Sequence, residues 1–203
     1  MTENNILPYD GQAILIDDHG AAFDWPAITR TLIGTIPWQV ETARIFGRET
    51  PIPRMTAWFG DGAYSYSGIL HIPAPFPAII ERLRERAEAL SSAPFNAALA
   101  NLYRSGRDSV GWHSDNEAAL GNRPTIATLS LGGERRFQFR HRETKQTITL
   151  GLRMGALAHH GRRYSALLGS SSSEDGRGRS AAGQSQFQTH DPIASFVKIR
   201  TEA

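Results

Sequence analysis

The chain has 203 residues, 40% of them hydrophobic, enough to bury a full core in one domain or in one domain with an appendage. Lys and Arg number 22 against 20 Asp and Glu, so a net charge of +2 and a pI near 9.2 permit an anionic partner without naming one. Cysteine is absent, which excludes disulfides and thiolate metal sites and leaves His, Asp and Glu as the strong ligands for any metal. No run approaches the ~18 apolar residues of a membrane span. The polar start MTENN has no leader pattern, so a cytoplasmic monomer is the expectation.

In chain order, the apolar run Ala13 to Ile16 ending at Asp17-Asp18 predicts a strand leading into a turn. Asp24 before Trp25-Pro26 predicts an N-cap with proline in the first turn, opening a helix that carries Ile28, Leu32 and Ile33. From Pro77 to about Ser91, Ile79, Ile80, Leu83, Ala87 and Leu90 recur at helical spacing, with charged residues largely on the other side. Strand-like pieces follow around Phe95 to Tyr103, Thr125 to Leu131, Arg136 to Arg140 and Thr147 to Leu152. Phe137 and Phe139 alternate with Arg136, Gln138 and Arg140, the period of a half-exposed strand. Helices followed by short strands predict an α+β arrangement with a mainly antiparallel single or double sheet. The composition then shifts: residues 161–190 hold seven Ser, five Gly and four Arg with few periodic apolar positions, the character of a disordered segment.

The stretch that carries chemistry is Asn101-Leu102-Tyr103 followed by Gly111-Trp112-His113-Ser114-Asp115-Asn116-Glu117. On a strand, residues two apart share a face, so His113 and Asp115 can offer an imidazole nitrogen and a carboxylate oxygen to one ion. With a distant second His they would form a 2-His-1-carboxylate triad, which leaves three iron positions open. Alone, the H-x-D pattern is weak and belongs far more often to a surface turn.

Its context is more specific. The segment from Asn101 to Arg140, NLYRSGRDSVGWHSDNEAALGNRPTIATLSLGGERRFQFR, resembles the AlkB family of iron(II)- and 2-oxoglutarate-dependent dioxygenases in its N-x-Y, G-x-H-x-D-x-E, P-x-I-A-x-x-S-L-G and R-x-F-x-F-R elements. Upstream, Pro53-Arg54, Phe59-Gly60-Asp61 and Tyr64-Ser65-Tyr66-Ser67-Gly68 look like the nucleotide-recognition lid of the branch that repairs DNA. The resemblance covers roughly residues 10 to 157. It implies a double-stranded β-helix (jelly-roll) core with N-terminal helices packed on it, in a domain 1–157, followed by an unrelated tail 158–203 with the final strands missing or disordered.

The resemblance also implies roles. His113 and Asp115 would ligate Fe(II), with no third histidine identifiable, and Asn101 and Tyr103 would hydrogen-bond 2-oxoglutarate. Tyr64, Tyr66 and Ser67 would flank a flipped base, beside Arg54 in the lid, and Glu117 would accept from a base amino group. Phe46, between Arg44 and Arg48, matches the aromatic finger that fills the gap in a duplex. The implied reaction is oxidative demethylation of 1-methyladenine or 3-methylcytosine in alkylated DNA, duplex rather than single-stranded, releasing succinate, CO2 and formaldehyde. A family member acting on RNA or protein, and a noncatalytic nucleic-acid-binding remnant, are the alternatives.

The end of the chain departs from this pattern. The family's W-x-H-x-x-P-K, which carries the third iron ligand, and R-x-N-x-x-F-R, which carries the arginines for 2-oxoglutarate, are absent, and His159, His160 and His190 stand in unmatched surroundings. Read one nucleotide later from about Ala158, codons of Tyr164 to Asp175 can spell the first motif and those of Ala182 to Gln188 can spell Arg-Val-Asn-Leu-Ser-Phe-Arg. A one-nucleotide insertion near Ala156 to Ala158 is therefore expected, and the chain as written is expected to be inactive or nearly so.

Overall fold

The computed structural model describes residues 5–8, 11–18, 23–45, 47–60, 64–66, 69–71, 73–113, 125–160, 164–168 and 194–200. In chain order the elements are β1 (Ala13–Asp17), α1 (Trp25–Thr35), β2 (Gln39–Ile45), β3 (Arg48–Gly60), β4 (Tyr64–Tyr66), β5 (Ile69–His71), α2 (Ala78–Ser91), β6 (Ala97–Tyr103) and β7 (Val110–His113). They continue with β8 (Ile126–Gly132), β9 (Arg135–His141), β10 (Thr147–Leu152), β11 (Ala156–His160), β12 (Tyr164–Leu168) and β13 (Ala194–Arg200).

Seven strands form one sheet in the order β1-β11-β8-β13-β6-β3-β2, and four form a second in the order β10-β9-β12-β7. Every pairing in both is antiparallel. The large sheet is apolar on both faces, and alternation divides them. Ala57, Phe59, Ala98, Ala100, Leu129, Leu157, Val197 and Ile199 share a core with Trp25, Ile28 and Leu32 of α1 and Ile80, Leu83 and Ala87 of α2. On the opposite face Tyr103, Ala156 and Ala158 share a second core with Phe137 and Phe139 of the small sheet. Helices outside and a second sheet inside give the α+β jelly roll that the sequence predicts.

The helices begin where their signals are. The Asp24 carboxylate accepts from the Ala27 N–H at 2.9 Å and Pro26 sits in the first turn of α1, so two orphan-donor problems are solved locally. Arg86 of α2 donates to the buried carboxylate of Asp18 after β1, with its Nε at 2.8 Å, and fastens the helix layer to the sheet's edge.

Two parts differ from the sequence expectation. β2 and β3 form a long hairpin where only lid motifs were read, because Pro51 and Pro53 argue against a strand. The prolines are tolerated because β3 has only β2 beside it there; pairing with β6 starts at Met55↔Leu102. The second difference corrects the expectation of missing final strands. β12 lies between β9 and β7, and β13 is a central strand between β8 and β6. Residues 194–200, ASFVKIR, lie beyond the Ser- and Gly-rich stretch and place Val197 and Ile199 in the helix-facing core.

Candidate functional site

The face of the large sheet that meets the small sheet carries polar side chains among its apolar ones. On β6, Ala98 and Ala100 face the helices, so Asn101 and Tyr103 lie on the opposite face, 5% and 0% exposed. On β3 the same alternation puts Arg54, Thr56 and Trp58 on that face, all buried. Thr56 is the register partner of Asn101. Thr128 and Ser130 of β8 are buried there too, and Ser130 Oγ donates to the Leu152 carbonyl at 3.2 Å. A row of polar groups on an otherwise apolar interior face is what a polar ligand requires and what a simple core avoids.

β7 brings His113 to this region. Its Nδ1 lies 3.0 Å from the Gly111 carbonyl oxygen, which can only accept, so Nδ1 carries a proton and in the neutral ring the lone pair is on Nε2. That is the tautomer a metal-binding histidine needs, held by the kind of backbone bond that orients such ligands. The next ring, Trp112, lies under the Arg140 guanidinium at 4.2 Å and anchors the strand.

The turn that leads from β6 to β7 is tied at several points. Asp108 accepts from the Arg104 backbone N–H at 2.9 Å and from its Nε at 2.8 Å and Nη2 at 3.1 Å. The Arg104 side-chain hydrogen bond, against a desolvation cost, holds the Asp108 carboxyl below the usual carboxylate range, with help from the Arg104 backbone and the charges of Arg104 and Arg135. Arg135, 3% exposed, donates to the carbonyls of Ser105, at 3.1 Å, and Asp108. Its guanidinium carbon lies 4.6 Å from the centre of the Tyr103 ring. Sequence reasoning quoted Arg135 as the first arginine of R-x-F-x-F-R and gave it no role. Its partners are backbone carbonyls, which no sequence pattern encodes.

Of the residues singled out from the sequence, the structure brings Asn101, Tyr103 and Arg54 to one face and places His113 on the strand after the tied turn. Arg54 is 4% exposed, on the interior face rather than at a lid surface. Tyr64 and Tyr66 lie on β4, paired with β5, at Tyr64↔His71 and Tyr66↔Ile69. Asp115, Glu117, Ser67 and Phe46 lie outside the described residues. Residue 46 falls in sequence between the paired Ile45 and Arg48 of the β2–β3 hairpin. His160 is buried, its ring edge-on to Phe139 at 5.0 Å.

The residues present fit iron and 2-oxoglutarate in part. The His113 tautomer suits a metal. Asn101 Nδ2 gives one N–H to the Leu99 carbonyl at 3.2 Å and has a second to offer a carboxylate, while its buried Oδ1 has no hydrogen-bond partner among the described residues. The Tyr103 hydroxyl is buried on the same face.

Comparison with known proteins places this geometry. Residues 26–162 match the family described as the 2OG-Fe(II) oxygenase superfamily, whose members require Fe(II) and 2-oxoglutarate. Over 118 residues the chain is 41% identical to "Alpha-ketoglutarate-dependent dioxygenase alkB homolog 3" of Homo sapiens, a match covering 58% of this chain and 41% of that protein. Over 104 residues it is 36% identical to "DNA oxidative demethylase ALKBH2" of Bos taurus, covering 50% of this chain and 37% of that one. The matched part thus spans about two fifths of these relatives' length. In fold, it resembles the structure of OsALKBH1, with a TM-score of 0.60 at 12% identity over 93% of this chain and 97% of that one. It also resembles a 2OG-Fe(II) oxygenase family oxidoreductase from Burkholderia pseudomallei, with a TM-score of 0.58 at 11% identity over 93% and 84%. The chain belongs to the 2OG-Fe(II) oxygenase superfamily, and within it its sequence is similar to AlkB homologues.

Proposed function

We propose that the site serves oxidative demethylation of N-alkylated bases in DNA, of the 1-methyladenine and 3-methylcytosine type. The observation that carries this reading is the shared buried face of Asn101 and Tyr103 together with the metal-competent tautomer of His113. Iron(II) with 2-oxoglutarate and O2 supplies the oxidation of the N-methyl carbon, after which formaldehyde leaves and the base is restored.

The chain's own residues bind and orient. Asn101 and Tyr103, buried on the interior face, donate to the co-substrate's carboxylate, where each hydrogen bond counts for more than in solvent. His113 presents Nε2 to the metal, with Asp115 two residues on as its carboxylate neighbour. Tyr64, Tyr66, Ser67 and Glu117 receive the extruded base, and Phe46 fills the duplex gap. The names of the bovine and human relatives, a DNA oxidative demethylase and a 2-oxoglutarate-dependent dioxygenase, support this assignment.

The chain as written lacks the motifs of the third histidine and the paired arginines. Its turnover is therefore far below that of an intact relative. The test is succinate release with Fe(II), 2-oxoglutarate and duplex oligonucleotides carrying 1-methyladenine or 3-methylcytosine, beside an intact relative. Release at or below about a hundredth of the relative's rate is expected, since loss of one buried charged contact alone costs roughly 2–5 kcal/mol. A rate equal to the relative's overturns the account of the missing motifs. Turnover in which His113→Ala has no effect overturns the site.

A further inference from the structure

A buried arginine is costly unless its donors are hydrogen-bonded or its charge is paired. Arg54 is 4% exposed on the interior face of β3, and among the described residues its Nε has no hydrogen-bond partner. Its face follows from alternation: Thr56, two residues on, pairs with Asn101, and the β3–β6 ladder ends one residue after Arg54 at Met55↔Leu102. The Ser109 N–H, donating to the Pro53 carbonyl at 3.0 Å, fixes the backbone beside it. The nearby carboxylate in the β6–β7 turn, that of Asp108, already takes three donors from Arg104. The neighbouring cation, Arg135, spends its donors on the Ser105 and Asp108 carbonyls and brings no negative charge. The interior face around Tyr103 therefore holds two buried guanidinium groups and the donor groups of Asn101 and Tyr103. Among the described residues no carboxylate pairs with Arg54, and a buried charge of this kind is costly and is relieved by an anion of matching geometry.

We propose that Arg54 is the cation that pairs with a carboxylate of the 2-oxo dicarboxylic acid co-substrate, a role for which the chain has no R-x-N-x-x-F-R motif. The planar fork of the guanidinium suits a carboxylate in two-point contact, with Asn101 and Tyr103 donating to the same ligand. This inference rests on the reading of the site given above. It differs from a role in the nucleotide lid, because a buried side chain on the interior face meets a ligand held between the sheets and not a phosphate passing over the surface.

The experiment uses the full chain with Mn(II) and measures binding of 2-oxoglutarate by calorimetry and by ligand-induced change in melting temperature. A short unmethylated oligonucleotide serves as the phosphate probe. Arg54→Met is expected to weaken 2-oxoglutarate binding by about thirtyfold or more, and to abolish the ligand-induced rise in melting temperature. Oligonucleotide affinity should not change. Arg54→Lys, which keeps the charge and loses the fork, should fall between. Without ligand, Arg54→Met should melt at or above the wild type, since the substitution removes a buried unpaired charge.

Wild-type affinity for 2-oxoglutarate in Arg54→Met overturns the proposal and leaves the site reading intact. Loss of oligonucleotide affinity with 2-oxoglutarate binding unchanged overturns it in favour of a phosphate contact. A melting temperature several degrees lower without ligand shows that the charge is satisfied within the protein, and also overturns it. A wild type that binds no 2-oxoglutarate ends both this inference and the reading on which it rests.

Discussion

Asn101 on β6 and Phe196 on β13 are register partners, and Phe196 is paired in turn with Ser130 on β8. The strand that carries Asn101 and Tyr103 is thus bordered by a strand from the last ten residues. Val197 and Ile199 beside it are 1% and 0% exposed against the helix layer. Ile199→Ala should therefore cost about 2–5 kcal/mol, seen as a lower midpoint in urea, and a chain ending at residue 193 should lose cooperative unfolding. A truncated chain as stable as the full one would show that β13 is dispensable.

His113→Ala removes the lone pair that the Gly111 carbonyl orients. Affinity for Mn(II) should fall by about two orders of magnitude, with the melting temperature in the absence of metal changed little, because the side chain is half-buried at a strand end. Titration of Mn(II) followed by its paramagnetic resonance signal reads this directly. Unchanged affinity in the variant would remove His113 from the metal site.

The Asp108 carboxyl, held below its usual range by Arg104, contributes stability whose pH dependence has a definite sign. A depressed folded-state pKa means the contribution is complete above the unfolded value, near 4, and is lost as pH falls through the folded value. Because Arg104 is half-exposed, the effect is discounted for solvent screening to about 1 kcal/mol. Asp108→Asn should lower stability at pH 7 by about that amount and flatten its decline in acid. Equal acid dependence in the two proteins would contradict the assignment.

Gly155, in the turn between β10 and β11, has φ +83°, and a Cβ there would lie 2.8 Å from Trp25 Nε1. The indole N–H also donates to the Asp18 carbonyl at 3.3 Å, so Trp25 has little room to yield. Gly155→Ala should cost about 2–4 kcal/mol, combining left-handed backbone strain with overpacking. Thermal unfolding checks it, and a neutral effect would mean the turn can rearrange.

Much of this was legible beforehand where local chemistry and period agree. Asp24 and Pro26 announce α1, the spacing of Ile80, Leu83 and Ala87 announces α2, and Phe137 and Phe139 announce β9. The β2–β3 hairpin was hidden by Pro51 and Pro53, whose acceptability depends on which strand lies beside them. β13 was hidden by distance: its alternation is clear, but its place between β8 and β6 depends on pairings with residues about 70 and 100 positions earlier. In the candidate site, motif matching singled out Asn101, Tyr103 and His113. It did not find the burial of Arg54 or the carbonyl contacts of Arg135, which arise only when separate strands meet.

The central claim is that this is a demethylase site whose end is written out of frame. The direct measurement is formaldehyde release from a 3-methylcytosine duplex by two proteins expressed from the gene, one as written and one with a single nucleotide removed near the codons of Ala156 to Ala158. The account expects release by the frame-restored protein, in step with succinate and abolished by His113→Ala, and release below about a hundredth of that by the written chain. Equal rates from the two proteins, or no formaldehyde from the frame-restored one, would contradict it.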